Sequence, residues 1–586
     1  MKMYVRLLSL LLCMVIVLAS FAACGTGNNS SSTGKETKDT QKSPDNSDNS
    51  QSSIIDESKS LILYKDGAYT AKFVIPDLAS DAEQAVYVKL RGAIKDKINA
   101  DVPYSTDLIP IGTTRDPNET AVLLGNTNYD ESKKATENAV YGDYSLKIIG
   151  NKAVISFTAK NDGIDLVNIL TKSIKTDGNG CFWIDRTLSI SKQALPQLSG
   201  LPKYPSSETS LVDCRDSTSM IVARRTTLSD FKGYCTALEQ TGFTLDAFRD
   251  DVNGMFFRTY VKGGLAVTAY FTPYNKTAHI IAGPATDIPT KEVDNTPETV
   301  SPTLTILSQG DRYDNGLGMV YLLPNGKFLI IDGGYVRGKQ LYDLLEKLAP
   351  NKNEITIAAW YMSHPHGDHQ QALTSFLKER YKNVKLESIL YNYTTNDQYQ
   401  AITTGADGVR EVKSFESILS TYASKDTKII KPHTGQIYKY GSTTVEIMYT
   451  VEDVLPQTLD YLNTSSLVVR VNVGKHSMLA LADTTHISGD ILRDMYGSTL
   501  KSEMVQLAHH GTYPGYASLY NTVKAPVLIW PSNLQNAKSQ QKDGAVIAAI
   551  NNATDIYVAN SGTITLNLPY TYVNNKQQFL NNIGGN

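Results

Sequence analysis

The stretch SHPHGDH, at residues 363–369, decides how the rest of the chain is interpreted. It contains three histidines and one aspartate within six positions. These are His364, His366, Asp368 and His369. The apolar run Ile355–Met362 comes directly before them and predicts a buried strand, and donors at a strand end are typical of a metal site on a strand-to-helix loop. The chain has only nine histidines, so this spacing is hard to attribute to chance.

Imidazole and carboxylate ligands suit zinc, iron or manganese, and four donors this close together can serve two ions at once. The alternative is a polar loop whose histidines have no common role. The concentration of donors favours a metal site, and the neighbouring segments support it.

The region around this loop, residues 303–575, predicts a sandwich of helices and sheets. Residues 304–307, 318–323 and 328–331 have the character of strands, and Gly338–Leu348 has that of a helix. A run of strands, then a helix, then a strand with donors at its end fits an α/β sandwich with the site along one edge of its sheets.

These residues together resemble the metallo-β-lactamase superfamily. Four of its signposts follow one another in the right order: Asp332-Gly333-Gly334, the loop from His364 to His369, Asp483, and His509-His510-Gly511. The closest branch is similar to the extracellular domain of the competence DNA-uptake channel, through Gln309-Gly310-Asp311 and the Asn-x-x-Ser-Leu of residues 463–467. The resemblance covers about 270 residues. It implies an αββα sandwich. The residues before it predict two small α+β domains.

The resemblance also implies two adjacent divalent ions, with Zn expected and Mn or Fe as alternatives. His364 and His366 would hold the first ion. Asp368 and His369 would hold the second with one histidine of the pair His509-His510. Asp483 would bridge the two ions, and Asp368 and Asp483 are the candidate catalytic residues. Asp332 would steady the loop without touching metal.

The chain departs from the family pattern at several points. Many members place a third histidine ligand of the first ion where this chain has Asn463, Ser465 and Ser466, so the first ion could be weakly held. The segment at residues 529–533 lacks the histidine of the competence-type Gly-His-Pro. Strand alternation predicts that only one residue of the His509-His510 pair faces the metal, and leaves open which. Three other histidines lie in the wider region and could approach the site, but each is expected to be a turn or element-end residue: His433, His476 and His486.

The N-terminus predicts export. Lys2 and Arg6 precede an apolar run, residues 7–23, whose last residues are small, and this order describes a signal peptide at residues 1–23. Cys24 follows directly and resembles the cysteine of a bacterial lipobox. This predicts an extracytoplasmic lipoprotein anchored to the outer face of the cell membrane through lipidated Cys24. The alternative is an uncleaved anchor helix, for which a run of about 17 residues is marginally short.

Three further segments separate this anchor from the sandwich. Residues 24–59 are rich in Ser, Asn and Asp and predict a disordered stalk. Residues 60–200 predict an α+β unit that resembles, over about 70 residues, an accessory domain found ahead of some bacterial glycoside hydrolases, but they show no paired carboxylates suited to that chemistry. Residues 205–295 predict a smaller α+β domain without evident chemistry, in which His279 is expected to be packed. Prolines at 289, 297 and 302 mark a linker.

Bulk composition excludes little else. The length of 586 residues suggests about three or four domains. The net charge of −3 gives no global field that would favour nucleic acid, although a local basic groove stays open. Beyond Cys13 and Cys24, the three cysteines at 181, 214 and 235 cannot all pair and show no C-x-x-C spacing, so we expect neither a disulfide framework nor a thiolate zinc site.

Three functional hypotheses follow. The first is a metal-dependent hydrolase that uses a metal-activated water on phosphodiesters of nucleic acid or of an envelope polymer. The second is an ester, lactone or lactam hydrolase of the same fold. The third is a non-enzymatic envelope-binding lipoprotein with a relic site. No protein partner is predicted. Five tyrosines could wall the cleft or be ordinary surface residues: Tyr391, Tyr393, Tyr399, Tyr513 and Tyr516.

Overall fold

The computed structural model describes residues 55–136, 143–157, 160–193, 195–206, 208–310, 315–393, 407–457, 459, 462–559 and 562–584. The predicted signal peptide, Cys24 and nearly all of the predicted stalk lie outside these residues, as do Asp311 and Tyr399. Within the described part of the chain, none of the helices combines the length and the apolar character needed to cross a bilayer.

Residues 60–193 contain two sheets that share a core with two long helices. The described strands form a four-stranded sheet, β2-β1-β9-β8, and a six-stranded sheet, β10-β6-β7-β5-β3-β4. The strands are β1 Ser60–Lys65, β2 Ala68–Tyr69, β3 Ala71–Ile75, β4 Ser105–Thr106, β5 Thr120–Leu124, β6 Asp143–Ile149, β7 Lys152–Ser156, β8 Lys175–Thr176, β9 Phe182–Asp185 and β10 Ser189–Gln193. The helices are α1 Asp81–Ile98, α2 Asp130–Thr136 and α3 Lys160–Ser173.

Residues 209–284 form one antiparallel sheet with a helix on one face. The order of its six described strands is β11-β12-β16-β15-β14-β13. They are β11 Thr209–Asp213, β12 Ser219–Ala223, β13 Thr244–Val252, β14 Met255–Lys262, β15 Leu265–Thr272 and β16 Thr277–Pro284, and the helix is α4 Leu228–Gln240. One face packs on α4 through Phe231 and Leu238. On the other face, Met220 and Tyr270 share a core with Met448 and Tyr496 of the C-terminal region.

The C-terminal region, from residue 303, is built from two facing sheets. Its described strands form an eight-stranded sheet, β23-β22-β20-β19-β18-β17-β31 with β21 beside β20, and a seven-stranded sheet, β24-β25-β26-β27-β28-β29-β30. The first sheet contains β17 Thr303–Ile306, β18 Gly318–Leu322, β19 Phe328–Asp332, β20 Ile355–Met362, β21 Val384–Leu386, β22 Ser388–Tyr391, β23 Lys428–Ile430 and β31 Ile564–Asn567. The second contains β24 Ile437–Tyr440, β25 Thr443–Tyr449, β26 Val468–Val473, β27 His476–Ala480, β28 Met504–Gln506, β29 Val527–Trp530 and β30 Asp555–Val558.

Helices cover the outer face of each sheet. They are α5 Gly338–Leu348, α6 Gly367–Glu379, α7 Asp407–Tyr422, α8 His486–Tyr496, α9 Ala517–Val523, α10 Leu534–Gln540, α11 Gly544–Asn552 and α12 Lys576–Ile583. Strand alternation sorts the side chains between the layers: Leu329 and Ile331 enter the core between the sheets, whereas Ile330 packs among residues of α5, α6 and α7. Leu492 of α8 and Leu519 of α9 pack on the outer face of the second sheet. The predicted αββα sandwich is confirmed.

The parallel strands of both sheets bring the site together. In the first sheet β19 and β20 are parallel neighbours, and in the second β27 and β28 are. Their carboxyl ends lie at the edges from which Asp332, the metal loop, Asp483 and the histidine pair continue. The predicted domain limits at 200/205 and 295/303 stay predictions, although the shared core shows that residues 209–284 pack directly on the sandwich.

Candidate metal centre

The metal loop joins the buried strand β20 to helix α6. His364 is fully buried. The Nε2 atom of His364 lies 3.0 Å from the Nδ1 atom of His366. His366 is the N-cap of α6, so Asp368 and His369 occupy the first helical turn. A carboxylate in this position is favoured by the backbone N–H groups and the dipole of the helix. The turn therefore fixes Asp368 and His369 on a rigid element directly after the two earlier histidines.

Asp332 holds this loop from the end of β19. Its carboxylate accepts hydrogen bonds from the backbone N–H of Ser363 at 2.8 Å and from the Ser363 hydroxyl at 2.7 Å. Its Oδ2 atom also lies 2.8 Å from Nδ1 of His369. An Nδ1–H that donates to a carboxylate leaves the Nε2 lone pair of the imidazole available to a metal. Asp332 is thus placed to orient His369 without joining the donors.

Asp483 lies at the centre of the site. It follows β27 by three residues, after Ala482 with a positive φ of 49°, and its side chain is buried. Its Oδ1 atom lies 3.2 Å from Nε2 of His369 and 3.4 Å from Nε2 of His510. Its Oδ2 atom lies 3.6 Å from Nε2 of His364. The two oxygens of one carboxylate therefore face two different groups of histidines.

The donors form two groups that share Asp483. One group is Asp368, His369, Asp483 and His510, and the other is His364, His366 and Asp483. Within each group the donor atoms lie within 4.8 Å of one another. Two donor groups with a common carboxylate are the arrangement expected of a two-ion site.

The structure distinguishes the two histidines that the sequence left open. His510 is buried and belongs to a donor group, whereas His509 belongs to neither, and its Nε2 atom lies 3.9 Å from Asp483. The expectation that they alternate along a strand was wrong. β28 ends at Gln506, and both residues adopt positive φ, 47° for His509 and 56° for His510. A tight turn, not a strand, presents His510 to the site.

Residues that the sequence did not single out complete the support of the second group. The Nδ2 atom of Asn315 donates to Oδ2 of Asp368 at 2.8 Å. The Nδ1 atom of His510 lies 3.0 Å from the carbonyl oxygen of Pro531, which fixes the ring with Nε2 towards Asp483. Pro531 lies in the segment that lacks the competence-type histidine, so this segment contributes a backbone oxygen instead.

Two indoles anchor the site loops. Nε1 of Trp360 donates to the carbonyl oxygen of Asp332 at 2.7 Å, and Nε1 of Trp530 donates to that of His510 at 2.8 Å. Both tryptophans are fully buried, one in the outer helical layer of each sheet. The conformation of each loop is therefore tied to the core of the sandwich. These two hydrogen bonds could not be predicted from the sequence, because the spacing of apolar residues does not show which backbone carbonyl an indole N–H will reach.

The pKa shifts of His369, His510 and Asp483 show that negative charge is concentrated in the site. Burial alone lowers the pKa of His510, but the charge of Asp483 and the hydrogen bond to Asp368 raise it to about 9. Burial likewise lowers the pKa of His369, and the charges of Asp483 and Asp332 raise it well above its ordinary value. Burial raises the pKa of Asp483, but His369 and His510 hold it well below its ordinary value. Protons on the histidines thus balance the carboxylates where a cation would otherwise do so.

Three buried donor atoms support the same interpretation. Nε2 of His369, Oδ1 of Asp483 and Nε2 of His510 lie within 3.4 Å of one another or of Asp368, but none of the three has a partner in good hydrogen-bond geometry. Buried polar atoms are normally satisfied, so three such atoms converging in one place are consistent with a missing ligand. Imidazole nitrogens and carboxylate oxygens together fit zinc, manganese or iron. The residues present therefore fit metal ions.

The remaining histidines lie elsewhere. His433 is buried, with its Nδ1 atom 2.9 Å from Oε2 of Glu452, and its carbonyl oxygen accepts a hydrogen bond from the N–H of Gln436 at 3.2 Å, so it opens a turn as predicted. His476 opens β27 and bonds Glu503. His486 begins α8. His279 is packed as expected, with its ring stacked on Tyr270 at 4.7 Å.

The tyrosines divide into two sets. Tyr391 and Tyr393 pack against each other and against Phe415, so they are packed residues of the outer helical layer and not ordinary surface residues. They follow β22, whose outward-facing residues meet α7. Tyr513 and Tyr516, close after the histidine pair, are 82% and 53% exposed.

Gln309, the described part of the competence-type Gln-Gly-Asp together with Gly310, has a structural place. It is buried, and its Oε1 atom accepts a hydrogen bond from the N–H of Tyr335 at 2.6 Å. It therefore ties the end of β17 to the turn after Asp332. All three cysteines of the described residues, Cys181, Cys214 and Cys235, are buried free thiols.

No protein-family model and no curated protein sequence matches the chain. Solved structures similar to it include the metallo-β-lactamase fold protein YhfI from Bacillus subtilis, with 14% identity over 46% of this chain and 100% of that one and a TM-score of 0.29. Zn²⁺-bound PqqB from Methylobacterium extorquens is 9% identical over 45% of this chain and 100% of its own, with a TM-score of 0.30. Human tRNase Z, short form, is 13% identical over 39% and 90%, with a TM-score of 0.23.

The identities and scores are low, so the sandwich is established by the chain's own two sheets, their helices and their ligand loop.

Proposed function

We propose that the chain is a metal-dependent hydrolase with two divalent ions, and that it cleaves phosphodiesters. The observation that carries this proposal is the convergence of two buried donor groups on Asp483, with three donor atoms that have no partner in good hydrogen-bond geometry. His364, His366 and Asp483 would hold one ion, and Asp368, His369, Asp483 and His510 the other. Bound there, the cations would lower the pKa of a water molecule and stabilise the negative charge that develops on the substrate.

The chain's own residues supply position and proton transfer. Asn315 and His510 both face Oδ2 of Asp368, at 2.8 and 3.2 Å, so the carboxylate is held in one orientation. Burial raises the pKa of Asp368, but the charge of His369 and the hydrogen bond to His510 outweigh it and lower the pKa. An ionised, oriented carboxylate next to the ions can accept the proton of the attacking water and return it to the leaving group.

The choice of a phosphodiester is supported by the resemblance to the competence-type domain, carried by Gln309-Gly310 and by residues 463–467. The exposed rings of Tyr513 and Tyr516 would suit a substrate with stackable groups, such as bases or sugar rings. We further propose that lipidated Cys24 anchors the protein outside the cell membrane. A protein anchored there would meet nucleic acid outside the cell and phosphorylated polymers of the envelope, so we propose these as the substrate class.

The test is hydrolysis by the detergent-solubilised full chain, loaded with Mn²⁺ or Zn²⁺. Substrates are bis-p-nitrophenyl phosphate, single-stranded DNA and teichoic-acid fragments. We expect turnover that is lost in His366→Ala. His476→Ala is the matched control, because it removes a histidine outside the donor groups, and it should keep full activity.

Two results would overturn the proposal in different ways. Turnover of nitrocefin, esters or lactones without cleavage of any phosphodiester would move the substrate to the carboxyl class. Protein that comes out free of metal and takes none up would show a relic site, and the chain would then be an envelope-binding lipoprotein.

A further inference from the structure

The two donor groups are unequal. Among the His, Cys, Asp and Glu side chains of the described residues, the second group has four members and the first has only His364, His366 and Asp483. The metallo-β-lactamase resemblance implies a third histidine for the first ion, and the chain has none at that place. Asn463 stands there instead.

Asn463 has an unsatisfied buried oxygen beside Asp483. Its side chain is fully buried in the turn Leu462–Ser465. The Nδ2 atom lies 3.4 Å from Oδ2 of Asp483, the oxygen that faces His364, and the Oδ1 atom has no hydrogen-bond partner. A buried amide with one long hydrogen bond and one orphaned oxygen is incompletely satisfied, which points to a missing ligand.

The turn that carries Asn463 is fixed to both halves of the site. The N–H of Leu467 donates to the carbonyl oxygen of Ser363 at 2.9 Å, directly before His364. The hydroxyls of Thr464 and Thr485 lie 2.9 Å apart, and Thr485 follows Asp483 by two residues. Asn463 is therefore held in place relative to the donors of the first ion.

We propose that the amide oxygen of Asn463 is the remaining protein ligand of the first ion. Two ligands about 2.1 Å from a tetrahedral ion lie about 3.4 Å apart, which matches the separation of the Asn463 amide and Asp483. Without a cation the amide presents its N–H to the carboxylate. With a cation, rotation of the amide places its oxygen in the same position.

Neighbouring side chains are less suited to this role. The Ser465 hydroxyl donates to the carbonyl oxygen of Leu462 at 2.7 Å and is satisfied within the turn. His509 is partly exposed, and its Nε2 atom is farther from Oδ2 of Asp483, at 3.9 Å. Asn463 and Ser466 both have a buried side-chain oxygen without a partner, and of the two Asn463 is the one whose amide lies 3.4 Å from Asp483.

This ligand changes the expected metal preference. A first site with two imidazole nitrogens and two oxygens is a harder set of ligands than three imidazole nitrogens with one oxygen. It therefore favours Mn²⁺ or Fe²⁺ over Zn²⁺ more than a site with three histidines does. The inference rests on the proposed function only in requiring that the chain binds metal, and not in requiring any substrate.

The experiment titrates the full chain and its variants with Mn²⁺ and Zn²⁺, measuring bound metal per chain and, for Mn²⁺, the electron paramagnetic resonance of a coupled pair. In Asn463→Leu, which keeps the number and branching of the side-chain heavy atoms without the oxygen, we expect the first ion to bind at least about tenfold more weakly and the pair signal to disappear. Ser465→Ala, in the same turn, should keep both ions. Asn463→His should retain two ions and raise the ratio of Zn²⁺ to Mn²⁺ affinity at the first site.

The outcomes separate this inference from the proposed function. If Asn463→Leu binds both ions as tightly as the wild type, or if Asn463→His leaves the affinity ratio unchanged, Asn463 is not a ligand, whatever the enzyme hydrolyses. If the wild type hydrolyses no phosphodiester but Asn463→Leu still loses the first ion, the ligand stands and the substrate proposal fails. A wild type that binds no metal overturns both.

Discussion

The Nδ1 atom of His369 lies 2.8 Å from the Oδ2 atom of Asp332, and both side chains are fully buried. The same carboxylate accepts two hydrogen bonds from Ser363, so it fixes the start of the metal loop and the histidine that ends it. The opposite ring atom of His369, Nε2, is thereby directed to within 3.2 Å of Asp483. A residue outside both donor groups thus sets the direction of a candidate metal donor.

Replacing Asp332 with Asn should weaken the second ion without unfolding the chain. Asn tolerates the positive φ of 52° at this position and keeps the size of the side chain, but it removes the charge that favours Nδ1–H on His369. We expect metal affinity at the second site to fall by about 10–100-fold. Competition with a chelator measures this, and an unchanged affinity would mean that Asp332 only supports the backbone.

Replacing His510 should reduce the metal content of the protein, whereas replacing its neighbour His509 should not. His510→Ala removes a buried donor and is expected to leave about one ion per chain. His509→Ala removes a residue outside both donor groups and is expected to leave two. Elemental analysis of the two variants, purified side by side, decides the matter. Equal loss in both would show that the ring of His509 moves into the site when metal binds.

Much of the sandwich could be predicted because its signals are local. The strand Ile355–Met362 and the helix Gly338–Leu348 are observed with the predicted limits, since a long apolar run and a 3.6-residue periodicity are strong patterns. The clustering of His364, Asp368 and His369 is also a local signal, because one strand end and one helical turn contain all of them.

What could not be predicted depends on contacts between distant segments. Asn315 reaches Asp368 across 53 positions, and no pattern in the sequence marks it. The turn at His509 and His510 requires positive φ at non-glycine residues, which only the surrounding core stabilises. The shared core between Tyr270 and the sandwich likewise arises from packing of two separately patterned segments. Periodicity predicts elements, but it does not predict which faces meet.

The turn that contains His509 and His510 should tolerate no side chain at Gly511. It has a φ of 88°, and a Cβ atom there would lie 2.6 Å from Nε1 of the buried Trp530. We expect Gly511→Ala to lower the free energy of unfolding by about 2–4 kcal/mol and to weaken the second ion. Gly515→Ala is the matched control, because Gly515 has a φ of 87° but its nearest neighbour would be 3.6 Å away. It should cost only about 1 kcal/mol. Urea unfolding of the metal-free proteins compares them, and equal losses would exclude the clash with Trp530.

The contact between the middle sheet and the sandwich should respond to pH through two groups joined by Tyr270. The Tyr270 hydroxyl donates to Oδ1 of Asp453 at 2.7 Å, and its ring stacks on His279. Burial raises the pKa of Asp453 to about 7, despite hydrogen bonds from Thr434 and the Thr450 N–H that lower it. Burial lowers the pKa of His279 to about 4.

These shifts have opposite consequences. The raised pKa of Asp453 means that the folded state binds the extra proton, so its contribution to stability is present below about pH 4 and is lost as the pH rises to about 7. The lowered pKa of His279 means that its contribution is present above about pH 6.5 and is lost as the pH falls towards 4. In the wild type the two trends largely cancel.

Single variants should expose each trend. Relative to the wild type, Asp453→Asn should become more stable as the pH rises from 4 to 7, by on the order of 2 kcal/mol. His279→Phe, which keeps an aromatic ring on Tyr270, should gain a similar amount as the pH falls from 6.5 to 4, again on the order of 2 kcal/mol. Urea midpoints of the metal-free full chain at pH 4, 5, 6 and 7 measure both differences. Parallel pH profiles for the three proteins would mean that neither group changes protonation on folding, and that Tyr270 joins the middle sheet to the sandwich by packing alone.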